Sequence, residues 1–151
     1  MKLIIRFSLI LVAAFTFTGC SKVIYYDEEV TLTGSWVLTD AAHKDEYGWY
    51  NVTTGVENGV FTFYNNGTAR YTEAGVTMNG TWSVYNTNGG YYDEHGSYYS
   101  DSHQALQVNL DDPYGDESID MYFENVRIRS NSFVATNYRN SYVERYRFSR
   151  Y

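Results

Sequence analysis

The stretch Leu32–Thr39, LTGSWVLT, alternates large apolar and small or polar side chains with a period of two. Successive side chains of an extended strand point to opposite sides, so Leu32, Gly34, Trp36 and Leu38 share one face and Thr33, Ser35, Val37 and Thr39 the other. The same period recurs along the chain. Val60–Tyr64 (VFTFY) aligns Phe61 with Phe63, the turn signal Asn65–Gly67 follows, and TARYT at Thr68–Thr72 returns. Asn79–Tyr85 aligns Gly80, Trp82 and Val84, and Ala105–Leu110 aligns Leu106, Val108 and Leu110. Ser118–Arg129 aligns Ile119, Met121 and Phe123, then Val126 and Ile128; the parity flips at Glu124–Asn125, as an extra residue in a β-bulge makes it do. Ser132–Thr136 and Ser141–Phe148 close the series, the latter with Tyr142, Tyr146 and Phe148 on one side. The single proline, Pro113, falls in a turn, and no segment after the N-terminal stretch has a helical period. The expected fold is all-β: an eight-stranded antiparallel up-and-down barrel, which hides its edges by closing on itself, with a two-sheet sandwich as the alternative.

The N-terminus reads as a targeting segment. Met1, Lys2 and Arg6 form a basic start, Phe7–Phe17 is mostly apolar, and small residues precede Cys20. Phe17–Cys20, FTGC, resembles the lipobox of bacterial lipoproteins, with Phe where Leu is usual. That resemblance implies cleavage before Cys20, diacylglycerol on its sulfur and a fatty acid such as palmitate on its amine. The expected division is a signal peptide over 1–19, a lipidated tether over 20–30 and one domain over 31–151. With Cys20 as the only cysteine and lipidated, no thiol is left for a disulfide, a cysteine nucleophile or a CxxC metal site.

Without Lys2 and Arg6 the chain carries 9 basic and 18 acidic residues, or 9 − 18 = −9, which argues against nucleic acid as a partner. The charge is segregated. Residues 125–151 hold Arg127, Arg129, Arg139, Arg145, Arg147 and Arg150 against Glu144 alone, so cross-strand ion pairs with acidic earlier strands are expected.

Several short motifs in order resemble the lipocalins, and in particular the lipocalin-like lipoproteins of the Bacteroidetes type. They are GSW at Gly34–Trp36, FTFYNNGTARY at Phe61–Tyr71, GTW at Gly80–Trp82 and the terminal RFSRY at Arg147–Tyr151. The resemblance implies a barrel whose last strand pairs with its first and sets a basic side chain, Arg150, over Trp36 as a structural contact. It implies little about a ligand; an eight-stranded barrel has an interior that is either filled by side chains or fits one small ligand.

In such a barrel the connections 40–58 and 111–117 share one rim. There Tyr47, Trp49, Tyr50 and Tyr114 stand among Asp40, Asp45, Glu46, Asp111, Asp112, Asp116 and Glu117. Aromatics beside carboxylates suit a sugar or an amphipathic ligand with positive charge. The ligand-binding candidates are Trp49, Tyr50, Phe61, Phe63, Trp82 and Met121. Strand carboxylates, such as Asp120 and Glu124, are expected to point outward. The Tyr-rich stretch Asn88–His103 is expected as a mobile, solvent-facing cap at the end nearest the tether. Asp93, Glu94, His95, Asp101 and His103 in it lack metal-ligand spacing. No catalytic constellation, metal or cofactor is expected. The function read from these features is a lipid-anchored binding protein of the bacterial cell envelope, in the outer membrane. It would be non-catalytic and hold a small apolar or amphipathic ligand. The alternative is an interaction module with a filled barrel that docks on an envelope protein or glycan through its Tyr-rich loops. Substituting Cys20→Ala is expected to move the protein from the detergent phase to the aqueous phase on phase partitioning and to abolish incorporation of labelled palmitate. A variant that still takes up label and partitions with membranes overturns the lipoprotein reading.

Overall fold

A computed structural model describes residues 31–139 and 141–151; the expected signal peptide, Cys20 and the tether to residue 30 lie outside the described residues. The described chain is all-β. Its strands are β1 (Gly34–Asp45), β2 (Gly48–Asn51), β3 (Val60–Phe63), β4 (Thr68–Glu73), β5 (Val76–Asn88), β6 (Tyr91–Tyr92), β7 (Tyr98–Tyr99), β8 (Ser102–Asp111), β9 (Ser118–Phe123), β10 (Asn125–Ile128), β11 (Ser132–Arg139) and β12 (Tyr142–Arg150). The main sheet has the order β10-β11-β12-β1-β3-β4-β5-β8-β9 with β2 hung on β1, and every pairing in it is antiparallel. A separate ribbon joins β6 to β7. Among the described residues no helix is long and apolar enough to cross a membrane.

Twelve strands therefore replace the expected eight, and the ladder is not closed by hydrogen bonds. Three local causes account for the difference. First, the register of β1 on β12 shifts between Leu38 and Asp40, so an extra residue turns Asp40, Ala42 and Lys44 outward while Ala41 and His43 replace them inside. The strand continues to Asp45 where a loop was expected, and β2 folds back on it. Second, the 88–103 stretch supplies β6 and β7. Third, Glu124 divides the long strand: β9 pairs with β8, whereas β10 pairs with β11. These two halves, consecutive in the chain, stand at opposite ends of the ladder order, with β10 alongside β8 and β11 alongside β9.

The inward faces follow the period-two reading. Trp36 and Leu38 of β1, Phe61 and Phe63 of β3, Leu106, Val108 and Leu110 of β8, Phe133 and Ala135 of β11 and Phe148 of β12 are buried in one core. Its aromatic part is dense near the start of β1. Phe133 stacks on Phe148 at 4.3 Å between centroids, Trp36 meets Phe133 edge-on at 4.9 Å, and Phe63 lies 5.3 Å from Trp82. Fully burying a Phe or Leu side chain contributes about 1.5–3 kcal/mol, so this cluster anchors the sheet.

Where the chain enters β1, Trp36 is fully buried and its indole Nε1 donates to the Leu32 carbonyl at 2.7 Å. Trp36 is opposite Arg150 in the β1–β12 register, and the Arg150 guanidinium carbon lies 4.1 Å from the indole centroid. That guanidinium also donates to the carbonyls of Thr33 at 2.6 Å and Ser130 at 3.3 Å, tying the first residues of β1 to the β10–β11 turn. Gly34 makes this possible: its φ is +123°, and a Cβ there would overlap the Arg150 guanidinium.

Most of the Asn88–His103 stretch is exposed, as expected, but it is docked on the sheet and does not stand off it as a cap. Its β6–β7 ribbon folds back over the outer face of β10, β11, β12 and β1, where Glu94 lies 3.4 Å from Arg127 and 3.2 Å from Arg129. Arg145 donates to the Glu94 carbonyl and Lys44 to the His95 carbonyl. Tyr92 stacks on Tyr138 at 4.9 Å, and Tyr91 and Asp93 are buried. The acidic turn has found Arg127, Arg129 and Arg145, which a reading of the stretch in isolation does not reveal.

Gly34→Ala is expected to destabilise the fold by more than the roughly 0.5–2 kcal/mol a cation–π contact contributes, because it adds a clash and a strained φ to the loss of that contact. In the double variant Gly34→Ala/Arg150→Ala the clash is gone, so the two effects are expected to be less than additive in urea unfolding. Strict additivity would show that Gly34 and Arg150 do not meet.

Candidate functional site

The interior is filled near the start of β1 and hollow at the other end. Antiparallel pairing sets the end of β4, the start of β5, the β8–β9 connection and the β11–β12 turn together at that far end. Among them lies a cavity of about 660 Å3. Val56, Met78, Ile119, Met121 and Phe123 give it apolar walls, and Tyr71, Glu73, Glu117, Arg139, Glu144 and Tyr146 surround them with polar groups. Its volume falls in the range of small-molecule sites, while the space is half open and lined by as much polar as apolar surface. One wall is the strand β9 itself, whose second edge has no ladder partner among the described residues. Its backbone N–H and C=O groups on that side carry no ladder bond among the described residues.

The polar groups reach the interior by strand parity. Glu73 follows Ala69 and Tyr71 on the inward face of β4, and Glu144 precedes Tyr146 and Phe148 on that of β12. Both correct the expectation that strand carboxylates point outward. Each inward carboxylate is held: the Tyr71 hydroxyl donates to Glu73, while Glu144 lies 3.3 Å from Arg139 and 3.5 Å from His43. His43 in turn stacks on Tyr142 at 4.4 Å between centroids. Partners offset the cost of burying charge at the rim of a low-dielectric space.

The phenols respond to this setting. Burial, and then the charge of Glu144, pushes the Tyr146 hydroxyl up to about 12 from its ordinary 10.0. Burial and the hydrogen bond to Glu73 push the Tyr71 hydroxyl further in the same direction. Both stay neutral donors throughout the physiological range. Across the cavity mouth, Glu57 accepts from the backbone of Thr54 and Gly55 and from the Thr54 hydroxyl; the Thr54 backbone bond contributes most to holding its carboxyl below the usual range. That knot shapes the 54–57 turn beside the cavity.

Of the expected ligand contacts, Met121 alone lines this cavity. Phe61 and Phe63 are buried in the core, although Phe61 supports the wall through Tyr71 at 4.6 Å. Trp82 packs on Phe63 and donates its indole N–H to the Tyr64 carbonyl. Trp49 sits on the outer face, because it pairs with the outward-turned Lys44, and its ring lies 4.1 Å from the Arg145 guanidinium carbon. Tyr50 pairs with His43 and stays largely exposed. Trp36 and Arg150 meet at the opposite end, and Cys20 lies outside the described residues. Sequence reading missed Glu73, Arg139, Glu144 and Tyr146. Glu144 and Tyr146 share parity with Phe148, a signal present in the sequence; the cavity beside them was not. Asp120 does point away, its carboxylate accepting from Asn109 on the outer face.

Among the described residues no three His, Cys, Asp or Glu side chains gather closely enough to hold a metal ion. Compared with known proteins, the chain matches no family model, no curated protein and no solved structure.

A raised phenol pKa carries a sign for stability. Below about pH 10, the ordinary value, the folded and unfolded phenols are both neutral and the contribution of Tyr146 is fully present. As pH rises from there through about 12, the unfolded chain ionises first and the contribution is lost. Urea unfolding of Tyr146→Phe is therefore expected to decline less steeply over that window than the parent protein does. Equal slopes would place Tyr146 in water.

Proposed function

We propose that this protein is a lipid-anchored binding protein of the cell envelope that holds one small amphipathic molecule at the end of a lipocalin-like barrel remote from its anchor. The single observation that carries the binding part is the cavity of about 660 Å3 with apolar walls and a polar mouth. Its lining gathers at the end of the sheet opposite the start of β1. The filled-barrel alternative requires an interior without such a space, so the cavity favours binding.

The barrel part rests on the sheet order. Its two terminal members, β10 and β9, are consecutive in the chain on either side of Glu124, which supports reading the sheet as curled round on itself although its ladder is open. We read β1, β3, β4, β5, β8, β9 with β10, β11 and β12 as the eight staves of an up-and-down barrel, and β2, β6 and β7 as additions to it. The anchor rests on the FTGC motif alone. A non-catalytic role accords with the local pairing of the inward groups. Glu144 is held by Arg139 and His43, and the Tyr71 phenol that donates to Glu73 stays neutral because burial raises it.

Native mass spectrometry of protein purified from its own host is expected to show a co-purifying small molecule. Ile119→Trp, which places an indole in the cavity, is expected to remove it, and Met78→Trp from the facing strand should do the same. Circular dichroism should show the sheet retained in at least one of the two. A molecule that stays bound to both folded variants would locate the site elsewhere, and the cavity reading would fall.

A further inference from the structure

We propose that the molecule held in this cavity is a cationic amphiphile: an apolar body carrying a protonated amine or quaternary ammonium at the mouth. The inference rests on the cavity reading above and names the ligand class for that site. Four carboxylates, Glu73, Glu117, Asp120 and Glu144, border the space against one cation, Arg139. Arg139 is already committed, with its Nε 3.3 Å from Glu144, and His43 faces the other oxygen of the same carboxylate at 3.5 Å. The remaining three carboxylates have no cationic side chain within ion-pair distance among the described residues. Glu73 has a hydrogen bond from Tyr71, but a neutral phenol leaves its negative charge uncancelled. Glu117 is exposed at the mouth, and Asp120, though turned outward, adds to the same field.

The positive charge that might have balanced them is elsewhere. Arg127, Arg129, Arg145 and Arg147 lie on the outer face and are engaged by Glu94 and Asp40. The mouth is thus left negative by the same parity that sends the arginines outward. An anionic head group would meet uncompensated carboxylates over low-dielectric walls, whereas a cation would complete them. The rings of Tyr71 and Tyr146 add negative π faces beside Glu73 and Glu144, the surroundings that favour ammonium groups. Below them Val56, Met78, Ile119, Met121 and Phe123 offer no charged or hydroxyl partner, so the rest of the ligand must be apolar.

Isothermal titration of the full chain with dodecyltrimethylammonium, dodecyl maltoside and laurate, each below its micelle concentration, tests this. The ammonium amphiphile is expected to bind at least about tenfold more tightly than laurate, the scale of one charge-assisted contact, and its affinity should fall with added salt. The near-isosteric double variant Glu73→Gln/Glu117→Gln should weaken the ammonium by about tenfold or more while leaving dodecyl maltoside unchanged. Should that variant not fold, the salt series on the parent protein carries the same comparison. Laurate or maltoside binding as tightly as the ammonium overturns the cationic assignment and leaves the cavity reading standing. If none of the three binds, the cavity reading fails, and this inference fails with it.

Discussion

Arg150 lies over Trp36 because the last strand of the main sheet returns to the first, and much of the structure hangs on that meeting. The indole is fully buried, so its N–H must be satisfied inside, and the Leu32 carbonyl does so. The guanidinium above it reaches two backbone carbonyls, one before β1 and one in the turn between β10 and β11. Three segments far apart in sequence are thereby pinned at one end. The backbone can pass under the guanidinium only where there is no side chain, which is why Gly34 stands two residues before Trp36. Filling this end with Trp36, Phe63, Phe133 and Phe148 leaves the opposite end as the place where the interior can stay open.

Charge follows from the same parity. Along β12 the side chains alternate: Glu144, Tyr146 and Phe148 point in, while Arg145 and Arg147 point out. The outward arginines form a basic surface that would be costly to leave beside a buried sheet face, and the β6–β7 ribbon covers it with Glu94 while Asp40 meets it from β1. Arg145 is the centre of this layer. It is stacked near Trp49, donates to Glu94 and Asp40, and keeps a buried Nε without a partner among the described residues. What is neutralised outside is not neutralised at the mouth, where Glu73, Glu117 and Asp120 have no cationic side chain within ion-pair distance among the described residues.

Two register shifts adapt a regular alternation to this shape. The one between Leu38 and Asp40 lets β1 turn Asp40, Ala42 and Lys44 outward, where Asp40 and Lys44 meet Arg145 and the ribbon. The other, at Glu124, hands one long strand from β8 to β11. Before that point β9 has one edge without a ladder partner among the described residues, and the cavity lies against it. Bulges bend and twist strands, and here they determine both where the ribbon docks and where the interior opens.

The sequence by itself determined the all-β class, the inward residues of most strands, the parity flip at Glu124–Asn125, and the meeting of Arg150 with Trp36 expected from the lipocalin resemblance. These are legible because alternation has a period of two and acts within a few residues. The same alternation marked Tyr146 as inward, and it would have marked Glu144 had the expectation of outward carboxylates not been applied. Only the tertiary structure decided that Trp49 faces the arginines rather than a ligand, since a single extra residue after Leu38 inverts the parity of everything up to Asp45 and of the strand paired to it. It alone placed the 88–103 stretch over the outer sheet, because Glu94 and its arginine partners are 33 and 35 residues apart. And it alone revealed the cavity, for an empty space is bounded by side chains from five strands and three connections, and no local pattern records what is missing between them.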